Sequence, residues 1–363
     1  MFEYSKNYEE MKNDLFKEIS KLKHKGYHIF SKKHEVVDDL FIDKITIKAK
    51  SDLKNRLVLC TGLHGIEGYV GHSALKTFFN EILVQLDDCT EVIIYHGLNP
   101  YGMKNFRRTN ENNVDLNRNF SKNKFQSENK EFENVKHFFE PKSYRNSKTA
   151  NLHYYSSLTK MIAKHGIESL KRATLLGQKV QSKGLYFSGT EYQTSTKYIL
   201  SELDSIYKDA INVVLVDIHT GYGPRYQMSI VNSKFEKDTS VDMIEKIDYP
   251  LILGIGTSDF YDIDGDMIER TYELHRDKKA KCKLFATCFE FGTLGESTLK
   301  TIESLKAMLF ENSSFFKGQK PKFNDYSIKL IKEQFLPSAS EWREKAENDF
   351  KKALTEIINY KKI

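Results

Sequence analysis

Residues 56–71 read RLVLCTGLHGIEGYVG, which places a strand, a glycine-rich turn and the start of a helix in immediate succession. The run RLVLCT is typical of a buried strand, and the glycines after it permit a sharp turn. His64 and Glu67 lie three positions apart on the first helical turn, where two side chains point the same way. They could share one metal ion, although this spacing alone also occurs in many surface helices.

Strand-like and helix-like segments alternate on both sides of this stretch. Strands are predicted at residues 41–48, 56–61, 91–95, 212–218 and 284–291. Helices are predicted at residues 7–24, 67–83, 166–180, 196–208, 297–311 and 338–358. This alternation predicts an α/β fold with a mixed, mostly parallel central sheet and helices on both faces. Such sheets place ligand sites at the ends of their strands.

The chain shows no internal repeat, low-complexity linker or change in composition. We therefore predict one catalytic domain over residues 1–363, with a helical C-terminal segment at about residues 297–363. The least patterned stretch, residues 104–150, is rich in Asn, Lys and Ser. Because long stretches of this kind inside a domain are often functional, and because this one carries motifs, we predict a functional loop layer.

Composition and charge exclude several classes of protein. Lysine and arginine exceed aspartate and glutamate by 56 to 50, and the excess is dispersed along the chain, unlike the basic stripe of a nucleic-acid-binding protein. No apolar run is long enough to span a bilayer, and the N-terminus lacks the apolar core of a secretory signal. The four cysteines form no C-x-x-C pair. We expect a cytoplasmic protein without nucleic-acid or membrane partners.

A third metal ligand is predicted at the end of another strand. The run NVVLVDI, residues 212–218, leads directly into His219. In a parallel sheet this strand end would lie near His64. Two imidazoles and a carboxylate leave a fourth position for water, as is usual in catalytic zinc sites. Asp217 is either a carboxylate that orients a ligand imidazole or a polar residue that closes the strand.

A general base is predicted in the strand LFATCFEF, residues 284–291. Glu290 is an isolated charge in this apolar run, and burying an unpaired charge is costly unless the charge serves a site. A carboxylate in an apolar pocket can accept a proton from an activated water and pass it to a leaving amine. The alternative is a glutamate on the exposed face of an edge strand.

Arginine and asparagine side chains are concentrated in NPYGMKNFRRTNENNVDLNRNF, residues 99–120. Guanidinium groups bind carboxylates through two hydrogen bonds, so Arg107, Arg108 and Arg118 are candidates for contact with an acidic substrate group. An arginine near a metal can also stabilise the oxyanion that forms when water adds to an amide. Without a metal site nearby, the same residues would be read as solvated surface.

The order of these motifs resembles that of the zinc carboxypeptidase family, of which carboxypeptidase A is the best-known type. The matching motifs are HGIEG, NP-x-G, R-x-N leading to VDLNRNF, VDIHTG and EFGT, from about residue 57 to residue 293. The resemblance implies a zinc carboxypeptidase-like (phosphorylase/hydrolase-like) architecture. It also implies one Zn²⁺ ion held by His64, Glu67 and His219.

The same resemblance assigns roles to the remaining motif residues. It implies that Arg108 stabilises the oxyanion and that Glu290 is the general base. Asn117 and Arg118 of VDLNRNF would receive a substrate carboxylate. The family's mobile tyrosine has no matching position; Tyr261 and Tyr272 are candidates for substrate contact whose roles stay open.

The segment LLGQKVQSKGLYFSGTEYQ, residues 175–193, resembles a signature of a bacterial branch of this family that is described only as a domain of unknown function. The resemblance implies an insertion at about residues 121–210. The aromatic side chains in this segment could form a lid over a pocket or a packing layer over the sheet. Two further histidines, His72 and His96, are predicted not to be ligands: His72 would point along its helix away from the metal, and His96 would cap a strand.

The expected activity is zinc-dependent hydrolysis of an amide next to a free carboxylate, with a small peptide as substrate. A second possibility is a deacylase of N-acyl amino acids, like the aspartoacylase and succinylglutamate desuccinylase relatives, which use the same chemistry with a different pocket. A third is a non-catalytic protein that binds peptide C-termini and would tolerate loss of Glu290.

Overall fold

The strands of this chain are short apolar runs that meet in one sheet. The structure is a computed structural model that describes residues 1–122, 129–254, 264–318 and 320–363. Within these residues the sheet has eight strands, numbered in chain order: β1 (Ile29–Val37), β2 (Leu40–Ile47), β3 (Asn55–Thr61), β4 (Thr90–His96), β5 (Asn212–Thr220), β6 (Met228–Asn232), β7 (Ile252–Gly254) and β8 (Lys283–Phe291).

The strand order across the sheet is β1-β2-β4-β3-β5-β8-β6-β7. The four central strands, β4, β3, β5 and β8, run parallel to one another. β2 is antiparallel to β4 and to β1, and β6 is antiparallel to β8. The predicted mixed, mostly parallel sheet is confirmed, and its five predicted strands correspond to β2, β3, β4, β5 and β8.

Helices cover the sheet and connect its parallel strands. In the described part of the chain they are α1 (Tyr8–His24), α2 (Gly68–Thr77), α3 (Pro100–Lys104), α4 (Lys130–Val135), α5 (Ser147–His165), α6 (Ile167–Leu175), α7 (Thr194–Ile206), α8 (Ser240–Lys246), α9 (Met267–Asp277), α10 (Thr298–Lys317), α11 (Pro321–Phe335) and α12 (Ser340–Lys361). None of the helices in these residues is both long enough and apolar enough to cross a bilayer.

Each face of the sheet has its own core because successive side chains of a strand point to opposite faces. In β3, Leu57 and Leu59 pack into the larger cluster, which also includes the apolar faces of α1, α2 and α12. Val58 and Cys60 pack into the second cluster, which α7 and α9 cover. The central strands are therefore apolar on both faces for most of their length, and His219 and Glu290 lie near the carboxyl ends of β5 and β8.

Candidate active site

Three predicted ligands meet at the carboxyl ends of β3 and β5. His64 precedes the short helical turn Gly65–Glu67 that follows β3, Glu67 is the last residue of that turn, and His219 is the next-to-last residue of β5. His64 Nδ1 lies 3.0 Å from Glu67 Oε1 and 3.2 Å from His219 Nδ1. His219 Nδ1 lies 3.0 Å from Glu67 Oε2. The three side chains are buried and form the one group in the described part of the chain that could hold a metal ion, here called the metal-binding cluster.

The turn between β3 and α2 requires a glycine for steric reasons. A Cβ atom on Gly65 would lie 2.3 Å from the backbone carbonyl carbon of Gly102. The two segments are further joined by hydrogen bonds from the Gly65 and Ile66 N–H groups to the Arg108 and Arg107 carbonyls, at 3.1 and 2.8 Å. The glycine therefore allows the turn to dock on the segment that carries the arginines.

The other nitrogen of each histidine is held by an aspartate. His64 Nε2 lies 3.0 Å from Asp115 Oδ1, and His219 Nε2 lies 2.7 Å from Asp217 Oδ2. Because a carboxylate can only accept a hydrogen bond, each Nε2 carries the hydrogen. Each Nδ1 then presents a lone pair to the centre of the cluster. Asp217 thus occupies the orienting position that the sequence left open. Asp115 was given no role from the sequence, although it lies inside the quoted motif VDLNRNF.

These contacts leave four electron-rich atoms facing one another, namely two imidazole nitrogens and two carboxylate oxygens. In a tetrahedral zinc site with ligands about 2.0–2.1 Å from the ion, neighbouring ligand atoms lie about 3.3 Å apart. The two imidazole nitrogens are 3.2 Å apart, and each lies 3.0 Å from a different Glu67 oxygen, which is close to that spacing. The donor set therefore fits a zinc ion held by His64, Glu67 and His219.

The electrostatics of the cluster also call for positive charge at its centre. Burial alone would lower the pKa of His219, but the carboxylates of Asp217 and Glu67 raise that pKa well above its ordinary value. Burial alone would raise the pKa of Glu67, but His64 and His219 lower it to about 2. A proton or a cation between these groups is thus strongly stabilised, and a divalent cation satisfies both imidazoles and the carboxylate together.

Glu290 lies beside the cluster because β5 and β8 are parallel and in register. Residue 290 pairs with His219 across the two strands. Its Oε1 accepts a hydrogen bond from the Tyr222 N–H at 3.0 Å. Burial, and then the negative charge of Glu67, raise the pKa of Glu290 to about 8. A bound cation would oppose this shift by stabilising the carboxylate. Glu290 is not on an edge strand, since β6 lies beyond β8.

Arg108 connects the ligand Glu67 with the aspartate that holds His64. Its Nε donates to Asp115 Oδ2 at 3.1 Å, and its Nη1 lies 3.5 Å from Glu67 Oε1. The guanidinium group is about one-fifth exposed and lines the same cavity as the metal-binding cluster and Glu290. The side chain is therefore fixed at one end and faces the cavity at the other.

Asn117 and Arg118 also line this cavity. Asn117 lies beside the first residue of α9, Met267. The Asn117 side chain donates from Nδ2 to Asp266 Oδ2 at 2.9 Å and accepts at Oδ1 from the Met267 N–H at 3.0 Å. One N–H of the amide stays available after these contacts. Asn117 thus fixes the beginning of α9, and its predicted contact with a substrate carboxylate stays a prediction.

Two further predicted substrate residues, Arg107 and Tyr272, are not brought to this cavity. Arg107 is buried, its Nε donates to Glu311 Oε1 at 2.6 Å, and its guanidinium group stacks 3.5 Å from the centre of the Phe315 ring. Tyr272 is buried in the second core cluster, where its hydroxyl accepts from the Ala286 N–H at 2.9 Å. Tyr261 lies outside the described residues. Arg107 is therefore a packing residue, because its contacts with Glu311 and Phe315 hold its guanidinium group against α10.

The two remaining histidines lie outside the metal-binding cluster. His72 Nε2 contacts Asp14 Oδ2 at 3.2 Å, and the His72 ring packs edge-on against that of His96 at 5.3 Å between centroids. Neither belongs to the group formed by His64 and its partners.

The segment 175–193 contributes Tyr186 to the cavity. Its backbone has a φ of 58°, a conformation that costs a bulky aromatic residue about 1–3 kcal/mol. Burial raises the pKa of Tyr186 to about 12, so its hydroxyl stays a donor at neutral pH. Within the described residues, the partner of this hydroxyl is Met308 Sδ at 3.9 Å, and a thioether is a weak acceptor. Phe187, by contrast, packs into the second core cluster.

The contact between Asp217 and His219 leads to a prediction about metal affinity. Asp217→Asn removes the charge that holds the His219 tautomer, so we expect zinc affinity to fall by about 10- to 100-fold. Competition with a chromophoric chelator measures this, with Asp204→Asn, which alters an exposed ion pair with Lys278, as the control. Equal affinity in both variants would show that Asp217 does not support the site.

Comparison with known proteins places this site on a known fold. The structure of bovine thrombin-activatable fibrinolysis inhibitor in complex with tick carboxypeptidase inhibitor is similar, with 14% sequence identity, a TM-score of 0.50 and coverage of 90% of this chain and 98% of that chain. The structure of carboxypeptidase A from Helicoverpa armigera is similar with 14% identity, a TM-score of 0.50 and coverage of 92% and 74%.

At this identity the similarity establishes the fold, which is the α/β fold of carboxypeptidase A. No curated protein sequence matches the chain. The model of one protein family, described as "Protein of unknown function (DUF2817)", matches residues 4–349. The chain therefore belongs to the DUF2817 family.

Proposed function

We propose that this protein is a zinc-dependent hydrolase that cleaves an amide bond next to a free carboxylate. The observation that carries the proposal is the register of β5 and β8, which pairs a candidate ligand, His219, with an isolated carboxylate, Glu290. A purely structural histidine and glutamate cluster would not need this further carboxylate facing the same cavity. In zinc-dependent hydrolysis of an amide, the metal acts as the Lewis acid and a nearby carboxylate acts as the base.

The chemistry is divided between the ion and the residues around it. Zinc held by His64, Glu67 and His219 would polarise the amide carbonyl and lower the pKa of water. Glu290 takes the proton of the attacking water and gives it to the leaving amine. Its Oε1 is fixed by the Tyr222 N–H, so Oε2, which makes no hydrogen bond within the described residues, is the oxygen that carries the proton.

Arg108 and Tyr186 supply hydrogen-bond donors to the cavity that also contains the candidate ligands and Glu290. The Arg108 guanidinium is already oriented by Asp115 and Glu67, so it can stabilise negative charge on the carbonyl oxygen without reorganising. Arg118, with the spare N–H of Asn117, supplies the positive charge that a substrate carboxylate needs. The substrate would be a small peptide or an N-acyl amino acid, which carry the same amide and carboxylate.

A small panel of amides tests the proposal. The zinc-loaded protein is incubated with dipeptides, tripeptides and N-acetyl and N-succinyl amino acids, and each free acid is compared with its C-terminal amide or ester. We expect turnover of the free acids and loss of at least about tenfold in kcat/KM when the carboxylate is blocked, since a charged hydrogen bond is worth about 1.5–3 kcal/mol.

The panel also separates the possible activities. Turnover of peptides only supports a carboxypeptidase, and turnover of N-acyl amino acids only supports a deacylase. If no compound in the panel is cleaved while peptides with free C-termini bind, the protein is a non-catalytic binder and the proposal is wrong.

The proposed role of Arg108 predicts a selective loss of rate. Arg108→Met should lower kcat by about 10²- to 10³-fold with little change in KM, because the lost contact strengthens only as charge develops. Arg145→Met, which alters an exposed arginine, is the control. Zinc content is measured in parallel, since Arg108 also contacts Glu67. Unchanged kcat with full zinc would exclude the oxyanion role.

A further inference from the structure

The cavity continues beyond the metal-binding cluster into a space between two helices. Its total volume is about 400 Å³. Part of its lining comes from α6, with residues three and four positions apart, and part from α10, with residues three positions apart, so each set lies on one side of its helix. We call this space the apolar chamber; its apolar lining is Ile167, Leu170, Ile302, Leu305 and Met308, and the two helices also present Thr174, Thr301 and Ser304 to the cavity.

The chamber is joined to the reacting centre through Tyr186. The Tyr186 hydroxyl is 3.9 Å from Met308 Sδ on the chamber side. Arg108 and Arg118 line the same cavity as Tyr186, and their charges act on its phenol. A group that entered the chamber would therefore belong to a molecule that also reaches these polar residues.

The chamber is not a packing defect. Protein interiors leave few voids larger than a water molecule, and a cavity of about 400 Å³ whose lining is more apolar than polar has the size of a small-molecule site. Leu170, Leu305 and Met308 are nearly buried, whereas Ile167 and Ile302 are half-buried against the open space. None of these residues has a role in the hydrolysis proposed above.

We infer that the apolar chamber is a specificity site that takes an aliphatic group of the substrate, either an acyl chain or an apolar side chain. The inference rests on the proposed function only in taking the bound molecule to be a substrate of the hydrolysis. The binding of an aliphatic group in the chamber does not depend on that function. The protein would then prefer amides that combine a free carboxylate with an aliphatic group over amides that are polar throughout. The length of that group, not the amide, would decide affinity.

Binding of molecules that cannot be hydrolysed tests this directly. The zinc-loaded protein is titrated by calorimetry with straight-chain monocarboxylates from acetate to octanoate. We expect the association constant to rise roughly three- to fourfold for each added methylene until the chamber is full. A flat series in the unmodified protein would overturn the inference.

Matched variants show whether the chamber is the place that is filled. Ile302→Asn and Met308→Gln should reduce the increase in the association constant to less than about twofold per methylene. Leu299→Asn, which alters an exposed residue of the same helix, should leave the rise unchanged. Thermal unfolding shows whether each variant is folded. A rise in both chamber variants equal to that of the unmodified protein would place the aliphatic group elsewhere.

The binding series and the amide panel fail independently. Suppose that no amide is cleaved, but that the association constant rises with chain length in the unmodified protein and not in the chamber variants. The hydrolase proposal is then wrong and the binding of an aliphatic group in the chamber is supported. If short amides are cleaved but the monocarboxylate series is flat, the chamber is wrong and the hydrolase proposal is unaffected.

Discussion

His64→Ala is expected to lose the metal ion and nearly all hydrolysis. The variant removes one of three ligands and leaves Asp115 without the imidazole that it holds at 3.0 Å. A Lewis acid contributes several kcal/mol to amide hydrolysis, so its loss corresponds to a decrease of about a thousandfold or more in kcat/KM. The decrease should not be recovered by raising the substrate concentration.

Zinc content and activity should be measured on the same preparation. Inductively coupled plasma analysis should give one zinc ion per unmodified chain and much less than one for His64→Ala. His137→Ala, which removes an exposed histidine outside the cavity, is the control and should keep both zinc and activity. Full zinc content in His64→Ala would show that the metal is held elsewhere.

Glu290→Gln is expected to separate catalysis from metal binding. Glutamine keeps the shape of the side chain and can still accept the Tyr222 N–H bond, but it cannot carry the proton. General bases contribute about 10²- to 10⁴-fold, so kcat should fall by that factor while zinc stays at one ion per chain. Because burial disfavours the charge of Glu290, the unfolding temperature should not fall.

A second glutamate of the same cavity provides the control. Glu296 lines the cavity mouth and is exposed, so Glu296→Gln should retain kcat within about twofold. If Glu290→Gln cleaved the cognate amide at the unmodified rate, Glu290 would not be the base. If it lost zinc as well as activity, Glu290 would support the metal instead of the proton transfer.

Several elements of the fold could be predicted from the sequence, and others could not. The central strands were predictable because their residues are apolar on both faces, as in β3. β1 was not predicted because IFSKKHEVV is an edge strand whose middle is polar and exposed. α5 fell partly within the stretch interpreted as a loop layer, although Ala150, Tyr154, Leu158 and Met161 recur at helical spacing.

The same distinction applies to the site. The order of the motifs was sufficient to select His64, Glu67, His219 and Glu290, because each follows or ends an apolar strand. Asp115 and Tyr186 could not be selected, since their roles depend on contacts with residues far away in the sequence. Arg107 and Arg108 are identical in type and adjacent, and their different directions are set by packing against α10 and against the cluster respectively.

The sequence by itself determined the class of fold and the chemical types of the reacting groups, because strand patterning and residue chemistry are local properties. The tertiary structure decided which groups meet: the β5 and β8 register pairs residue 219 with residue 290, and two aspartates from separate segments fix the imidazole tautomers. It also decided the proposed substrate space, because only the fold brings residues of α6 and α10 to one cavity. Distances between remote segments depend on packing of the whole chain, which no local pattern encodes.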